Sequence, residues 1–303
     1  MLVLLTLQEH ESGVWNTLLI GCMQQLNQSV VVVTLESTLT CISNPFPNGT
    51  KVVINRVSDA SDLYKATVAL LECCQSLWGI KVWNAAYAMI SNKWCHSAML
   101  ERAGLGTPTT WRTHRQEPRH DIAGSFPLLF KPNAGGFGAG IVMFDESPAI
   151  LPKTNDDMAV LQEYMKPHGN QLYRVWFLRG KVQCGIIRQN FDGVDEFTTG
   201  CAAKGACTMN DRDAPQPTLL AYCVPDDVCH EIDSNLLPLM PLAHCGSVEY
   251  LCDDEGRRFY FDINLLSTLP IIDVIENATD VWGELYNPWM ELASAIVQFI
   301  DSM

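Results

Sequence analysis

One change of pattern limits what this chain can fold into. Up to Asn84, strand-like and helix-like stretches alternate; beyond it, strand-like stretches come in neighbouring pairs. Met1–Leu7, the β-branched Val30–Thr34, Lys51–Asn55 and Ile80–Trp83 read as strands. Between them, Trp15–Leu26 has amphipathic-helix spacing. A second helix runs from a Ser61 cap to Trp78, with Leu63, Leu70, Cys74 and Leu77 on its apolar positions and Gly79 as its terminator. A β-α-β-α-β order predicts a small parallel sheet flanked by helices.

After Asn84 the expectation is α+β. Ala85–Gly104 reads as mostly helical, closed by Gly104 and the Gly106-Thr-Pro108-Thr turn. Ser125–Pro132, Gly140–Phe144 and Leu161–Tyr164 are strand-like, and Leu172–Leu178 with Val182–Arg188 form a hairpin about Arg179-Gly180. Residues 191–220 are polar and irregular. Pro225–Ile232 opens a helix, Ser247–Cys252 and Arg258–Asn264 make a second hairpin, and Val281–Ile300 closes the chain as a helix. At 303 residues with 48% apolar side chains, there is ample material for a continuous core.

Thirty-four acids against 20 bases leave a net charge of −14, which disfavours broad contact with nucleic acid or anionic membrane. The apolar run at Met1–Leu7 lacks a basic n-region and ends at Gln8-Glu9-His10-Glu11, so it reads as a buried strand and not a signal peptide. No window approaches a membrane span. Twelve scattered cysteines without a CxxC pair read as reduced thiols in a cytoplasmic protein.

Two stretches carry chemistry. The first is Phe130-Lys131-Pro-Asn-Ala-Gly135-Gly136-Phe-Gly138-Ala-Gly140. Glycines so dense allow backbone N–H groups to approach phosphate oxygens, and Lys131 adds a point charge at the strand end. The spacing fits neither GxxxxGK[ST] nor GxGxxG; a plain glycine-rich hairpin is the alternative. The second is Glu249 with Asp262-Ile-Asn264. Alternation puts Asp262 and Asn264 on one face, and a two-residue turn at Glu255-Gly256 would set Glu249 opposite Asp262. Two carboxylates and an amide oxygen then meet beside Tyr250, Phe259 and Phe261, a donor set suited to Mg²⁺. A solvated face with the register shifted by one is the alternative.

In this order the two stretches resemble the ATP-grasp superfamily, in particular its ribosomal-modification glutamate ligase and glutathione-synthetase-like branch. The resemblance spans roughly residues 50–270 and includes Val82-Trp-Asn84, Ser91-Asn92-Lys93, Met99–Gly104, Thr107-Pro108-Thr109, Leu161–Tyr164, Tyr173-Arg174-Val175 and Ile187-Arg188. It implies an α/β and α+β architecture. Residues 1–84 would form a small N-terminal parallel α/β domain and 85–303 the ATP-grasp domain. Within the latter, a lid at about 110–162 and a C-terminal subdomain at about 163–303 would grip ATP.

The resemblance also implies roles. Lys93 and Lys131 contact nucleotide phosphates, and the loop of Gly135, Gly136 and Gly138 covers them. Gln162, Glu163 and Tyr164 form the adenine-reading hinge. Glu249, Asp262 and Asn264 hold Mg²⁺, with Mn²⁺ as the alternative ion. Arg188 steadies the transferring phosphoryl, with Arg174 in a lesser catalytic role. The implied reaction is ATP-dependent joining of a small carboxylate to an amine, an amino acid or short peptide, through an acyl-phosphate. A homodimer through the N-terminal half is common among such relatives. A non-catalytic ATP-binding module and a small-molecule kinase are the alternative activities; a Rossmann oxidoreductase is an outsider. The chain departs from the pattern at Leu172, where relatives often carry an acid for the ribose. It departs again at Asp262, where Glu is usual, and at Leu265–Thr268, where a small-Pro-Gly turn is usual.

Overall fold

A computed structural model of the chain describes all residues except 42, 59–60, 87–91, 115–125, 134–139, 149, 155–157, 190–217, 268, 271, 285 and 303. Three sheets follow one another along the sequence. The first contains β1 (Leu2–Thr6), β2 (Val30–Thr34), β3 (Val52–Asn55) and β4 (Lys81–Trp83), parallel in the order β2-β1-β3-β4. Every residue of β1 and β3 is buried, as a sheet covered on both faces requires. Helix α1 (Val14–Gln25) packs over Leu2, Leu4 and Ile54, and α2 (Tyr64–Ser76) covers the other face with Val3, Leu5 and Val53. Ser61 does not cap α2: its hydroxyl accepts from Leu63 N–H in a preceding turn. Gly79, at φ +65°, ends that segment as expected.

The second sheet is antiparallel: β5 (Thr110–His114), β6 (Leu128–Pro132), β7 (Val142–Phe144) and β8 (Met158–Glu163), in the order β5-β8-β6-β7. Helix α3 (Lys93–Arg102) precedes it. The expected long helix from Ala85 is corrected here, because Asn92 caps the helix by accepting from Cys95 N–H and Ala85–Ala86 are not helical.

The third sheet holds β9 (Gln171–Leu178), β10 (Lys181–Gln189), β11 (Thr218–Tyr222), β12 (Cys245–Cys252) and β13 (Arg258–Asn264), all antiparallel in the order β11-β10-β9-β12-β13. Arg179 and Gly180 both have positive φ, giving the tight β9–β10 turn read from the sequence. Strand β11 arises from the end of the stretch expected to be irregular. It pairs with the edge of β10 that β9 leaves open, from Thr218↔Gln189 to Tyr222↔Gly185. The outer edge of β13 is covered at Gly106, whose carbonyl accepts from Tyr260 N–H at 2.8 Å. A Cβ at Gly106 would lie 2.5 Å from the Arg258 carbonyl oxygen, so only glycine permits that approach.

The expected closing helix is two. A short turn at Thr279–Trp282 ends at Gly283 (φ +93°), and α4 (Pro288–Asp301) begins afresh, with Asn287 capping it and proline in its first turn. Helix α4 returns to pack Trp289, Leu292 and Ile296 against α1 and the first sheet, so the chain's end completes the N-terminal core. No helix among the described residues is long and apolar enough to cross a membrane.

Candidate active site

The β12–β13 hairpin brings Glu249 opposite Asp262, the register read from the sequence, but by a different route. The loop is five residues, 253–257, not two. Asp253 holds it by accepting from the N–H groups of Glu255 and Arg257 at 3.1 and 2.8 Å. Up to Tyr250↔Tyr260 the pairing is one residue out of the expected register. A bulge between Glu249 and Tyr250 then restores it, leaving Phe261 as the extra residue. The bulge lets Tyr260 join Tyr250 on one face and returns Asp262 to the other, beside Glu249.

Pairing across the sheet defines that front face. Glu249 lies beside Arg174, which is paired with Ile186; Arg188 is paired with Leu172 and Leu219, and Asn264 with Ser247. Period-two alternation therefore gathers Arg174, Arg188, Glu249, Asp262 and Asn264 on one surface. Arg174 Nε donates to Glu249 Oε1 at 2.8 Å, and its terminal nitrogen lies 2.5 Å from the same oxygen. Burial lowers the Arg188 pKa; Glu249 opposes this shift and Arg174 adds to it.

Helix α3 and strand β6 supply the remaining cations. Asn133, just past β6, accepts from Trp94 N–H through its side chain and from Lys93 N–H through its carbonyl, pinning the strand end to the helix start. Lys93 Nζ lies 3.7 Å from Asp262 Oδ1, and His96 Nδ1 lies 3.1 Å from the same oxygen. Burial alone would raise the Asp262 pKa, but Lys93, His96 and Lys131 outweigh it and hold the carboxyl well below the usual range. Lys131 is itself buried, which lowers its ammonium to about 8 against the pull of Asp262 and Glu249. It donates to Gln162 Oε1 at 2.5 Å and stands 5.2 Å from the centre of the Phe261 ring.

Among the expected site residues, Lys93, Lys131, Gln162, Glu249 and Asp262 are thus joined through contacts or mutual electrostatics, with Arg174, Arg188 and Asn264 on the adjoining sheet face. Gln162 points inward, between Lys131 and the Thr110 hydroxyl. The amides of Glu163 and Tyr164 already serve Thr109 O and Pro127 O, and the Glu163 carboxylate accepts from the Thr109 hydroxyl at 2.9 Å. Gly135, Gly136 and Gly138 lie outside the described residues. His96 escaped the sequence reading, although it sits one turn after Lys93, where a helix brings side chains to the same face.

No protein-family model matches the chain, and no curated protein matches it. Solved structures do. D-cycloserine synthetase DcsG aligns over 99% of this chain and 100% of its own, with a TM-score of 0.65 at 12% identity. The ATP-grasp ligase PsnB, complexed with minimal precursor, Mg and ADP, aligns over 98% and 96% with a TM-score of 0.61 at 15% identity. The chain has the ATP-grasp fold. D-alanine–D-alanine ligase from Bacillus anthracis, complexed with ATP, is a further neighbour, at TM-score 0.63, 15% identity and coverage of 98% and 96%.

The donor set also fits a hard cation. Among the described residues no three His, Cys, Asp or Glu side chains cluster as a self-sufficient metal site. Two carboxylates and an amide on one strand pair suit Mg²⁺, which accepts few protein oxygens and completes its shell with water and phosphate.

Proposed function

We propose that the protein is an ATP-dependent carboxylate–amine ligase. The observation that carries this reading is the front face of the third sheet. There Glu249 and Asp262 are paired with each other and compensated by Arg174, Lys93, His96 and Lys131. Charges of both signs so close to one another suit a polyphosphate and a cation arriving together. The names of the neighbours, two ligases and a synthetase, agree with this reaction class.

In this reading Lys93 and Lys131 take the phosphates, and the loop of Gly135, Gly136 and Gly138 closes over them. The hinge at Gln162, Glu163 and Tyr164 reads adenine through carbonyl oxygens, since two of its amides are already committed. Gln162 acts by holding Lys131 in place. Mg²⁺ held by Glu249, Asp262 and Asn264 supplies charge neutralisation at the phosphates, and Mn²⁺ has the same ligand preference. Arg188 stabilises charge on the phosphoryl as a substrate carboxylate oxygen bonds to the γ-phosphorus and ADP leaves. An amine then attacks the acyl carbon of that acyl-phosphate, the C–O bond breaks, inorganic phosphate departs and the amine loses a proton. Glu249 would hold the cation with the oxygen that Arg174 now engages, leaving the arginine to face the phosphates. We assign residues 1–84 to an N-terminal unit and 85–303 to the ATP-grasp unit, which lends its last helix, Pro288–Asp301, to the core of the first, and we assign the protein to the cytoplasm.

The test is ADP release from purified protein with Mg²⁺, ATP and pooled carboxylates and amines. Amide product with stoichiometric ADP supports the reading; no ADP from any pool overturns it. The Arg174–Glu249 ion pair favours one second reading, an ATP-binding module whose metal ligand stays occupied by arginine. Tight ATP binding without turnover on any acceptor would select it.

A further inference from the structure

Helix α3 packs along β13, and its first turn is pinned in place. Asn92 caps it by accepting from Cys95 N–H at 3.0 Å, and Asn133 accepts from the N–H groups of Lys93 and Trp94 at 3.2 Å each. A helix start so anchored fixes where the side chains of its first turns point. Lys93 and His96, three residues apart, share one face of the helix. Both meet the same atom of β13, Asp262 Oδ1, at 3.7 and 3.1 Å. Oδ2 carries neither contact.

The two basic groups differ in freedom. Lys93 has a flexible stem and 19% side-chain exposure, so it can turn to a phosphate, as the ligase reading requires. His96 is 2% exposed, and a buried imidazole on an anchored helix stays where it is. A carboxylate offers only lone pairs, so Nδ1 is assigned as the donor of the His96 contact. Asp262 therefore has one oxygen engaged by a fixed donor and one turned elsewhere.

Cations differ in how they use a carboxylate. Ca²⁺ gathers about six to eight oxygens in flexible geometry and readily takes both oxygens of one carboxylate. Mg²⁺ is smaller and needs a near-ideal octahedron, in which each carboxylate gives one oxygen. We propose that His96 selects the metal: by holding Asp262 Oδ1 it leaves Oδ2 as that side chain's one oxygen for a cation, and so favours Mg²⁺ over Ca²⁺. His96 touches neither metal nor substrate in this assignment; it is a positioning residue acting through the carboxylate. The assignment rests on the ligase reading for a cation at Asp262, but selectivity can be measured without turnover.

The experiment is a Mn²⁺ displacement titration of the full chain followed by electron paramagnetic resonance. The protein is loaded with Mn²⁺ and with ADP kept below the protein concentration, and Mg²⁺ or Ca²⁺ is added until Mn²⁺ is released. Wild-type protein should release it at lower Mg²⁺ than Ca²⁺. His96→Leu removes the donor and should shift the ratio of the two midpoints about 10-fold toward Ca²⁺, the lower end of the range for losing a group that orients a metal ligand. His96→Asn sets an amide N–H near the position of Nδ1 and should keep the wild-type ratio. His96→Gln carries its donor one atom farther out, should behave as His96→Leu does, and serves if that variant does not fold. A merely structural role would weaken both cations alike, so the ratio decides and not the affinity. An unchanged ratio in His96→Leu and His96→Gln overturns the proposal, as does a shift in His96→Asn equal to theirs. Mn²⁺ bound by the wild type with no such shift removes His96 and leaves the metal site standing; no Mn²⁺ bound with ADP removes both. A shifted ratio in a protein that releases no ADP from any substrate pool keeps the selectivity and removes the ligase.

Discussion

The two faces of the five-stranded sheet carry similar ionisable side chains in different company. On the back, Arg258 donates to Glu231 at 2.6 Å and to Asp227 at 2.8 Å, and the Tyr260 hydroxyl donates to the same Glu231 oxygen at 2.6 Å. Tyr173 stacks on Tyr250 with ring centres 4.7 Å apart, and the hydroxyls of Tyr222 and Tyr250 are 2.8 Å apart. Burial pushes the Tyr250 and Tyr260 hydroxyls far up, so both stay neutral. One cation there meets two carboxylates, Asp227 and Glu231, and lies over the Tyr250 ring. On the front the balance is reversed: the Asp262 carboxylate meets three basic side chains, Lys93 and His96 from α3 and Lys131 from β6. An excess of basic groups around one carboxylate leaves positive charge for an anionic ligand to meet. Residue type alone does not mark a site; the balance of charge around it does.

That contrast can be broken in order of expected effect. Asp262→Asn should lower ADP release about 1,000-fold, the upper range for removing one electrostatic stabiliser, with the far-ultraviolet circular dichroism unchanged. Lys131→Met should lower it about 100-fold. On the back face, Tyr260→Phe should cost about 1–2 kcal/mol of stability in urea titration and leave turnover alone. A turnover loss there, or a stability collapse without activity change at Asp262, would erase the distinction between the faces.

The smallest effect is a pH dependence. Folded Lys131 sheds its proton near 8, below its ordinary value of 10.5. Below pH 8 both folded and unfolded states are charged, and the folded state bears the full cost of burying that charge. Between about pH 8 and 10.5 the unfolded state binds more protons, so wild-type stability rises with pH relative to Lys131→Met. Urea midpoints of both proteins at pH 7 and pH 9.5 should therefore shift in the wild type's favour at the higher pH. A constant difference would mean that Lys131 is not desolvated.

Patterning made the parallel sheet, the two hairpins and the pairing of Glu249 with Asp262 legible, because period-two alternation and turn residues are local signals. The loop behind that pairing was not. Asp253 needs its own carboxylate to be seen capping 255 and 257, and the bulge at Phe261 compensates a loop three residues longer than expected. The split of the last helix was present in Gly283 and Asn287-Pro288, but apolar spacing on either side conceals it. His96 meets Asp262 across 166 residues of sequence, so no local pattern announces the contact. Gln162-Glu163-Tyr164 is legible as a motif, whereas the commitment of the Glu163 and Tyr164 amides to Thr109 and Pro127 depends on the sheet partners.

The central claim, carboxylate activation on the front face, is tested most directly by oxygen transfer. The carboxylate found to support ADP release is labelled with ¹⁸O and turned over with Mg²⁺, ATP and an amine, and the inorganic phosphate is analysed by mass spectrometry. An acyl-phosphate route predicts one carboxylate oxygen in every phosphate released. Unlabelled phosphate accompanying amide formation would contradict it.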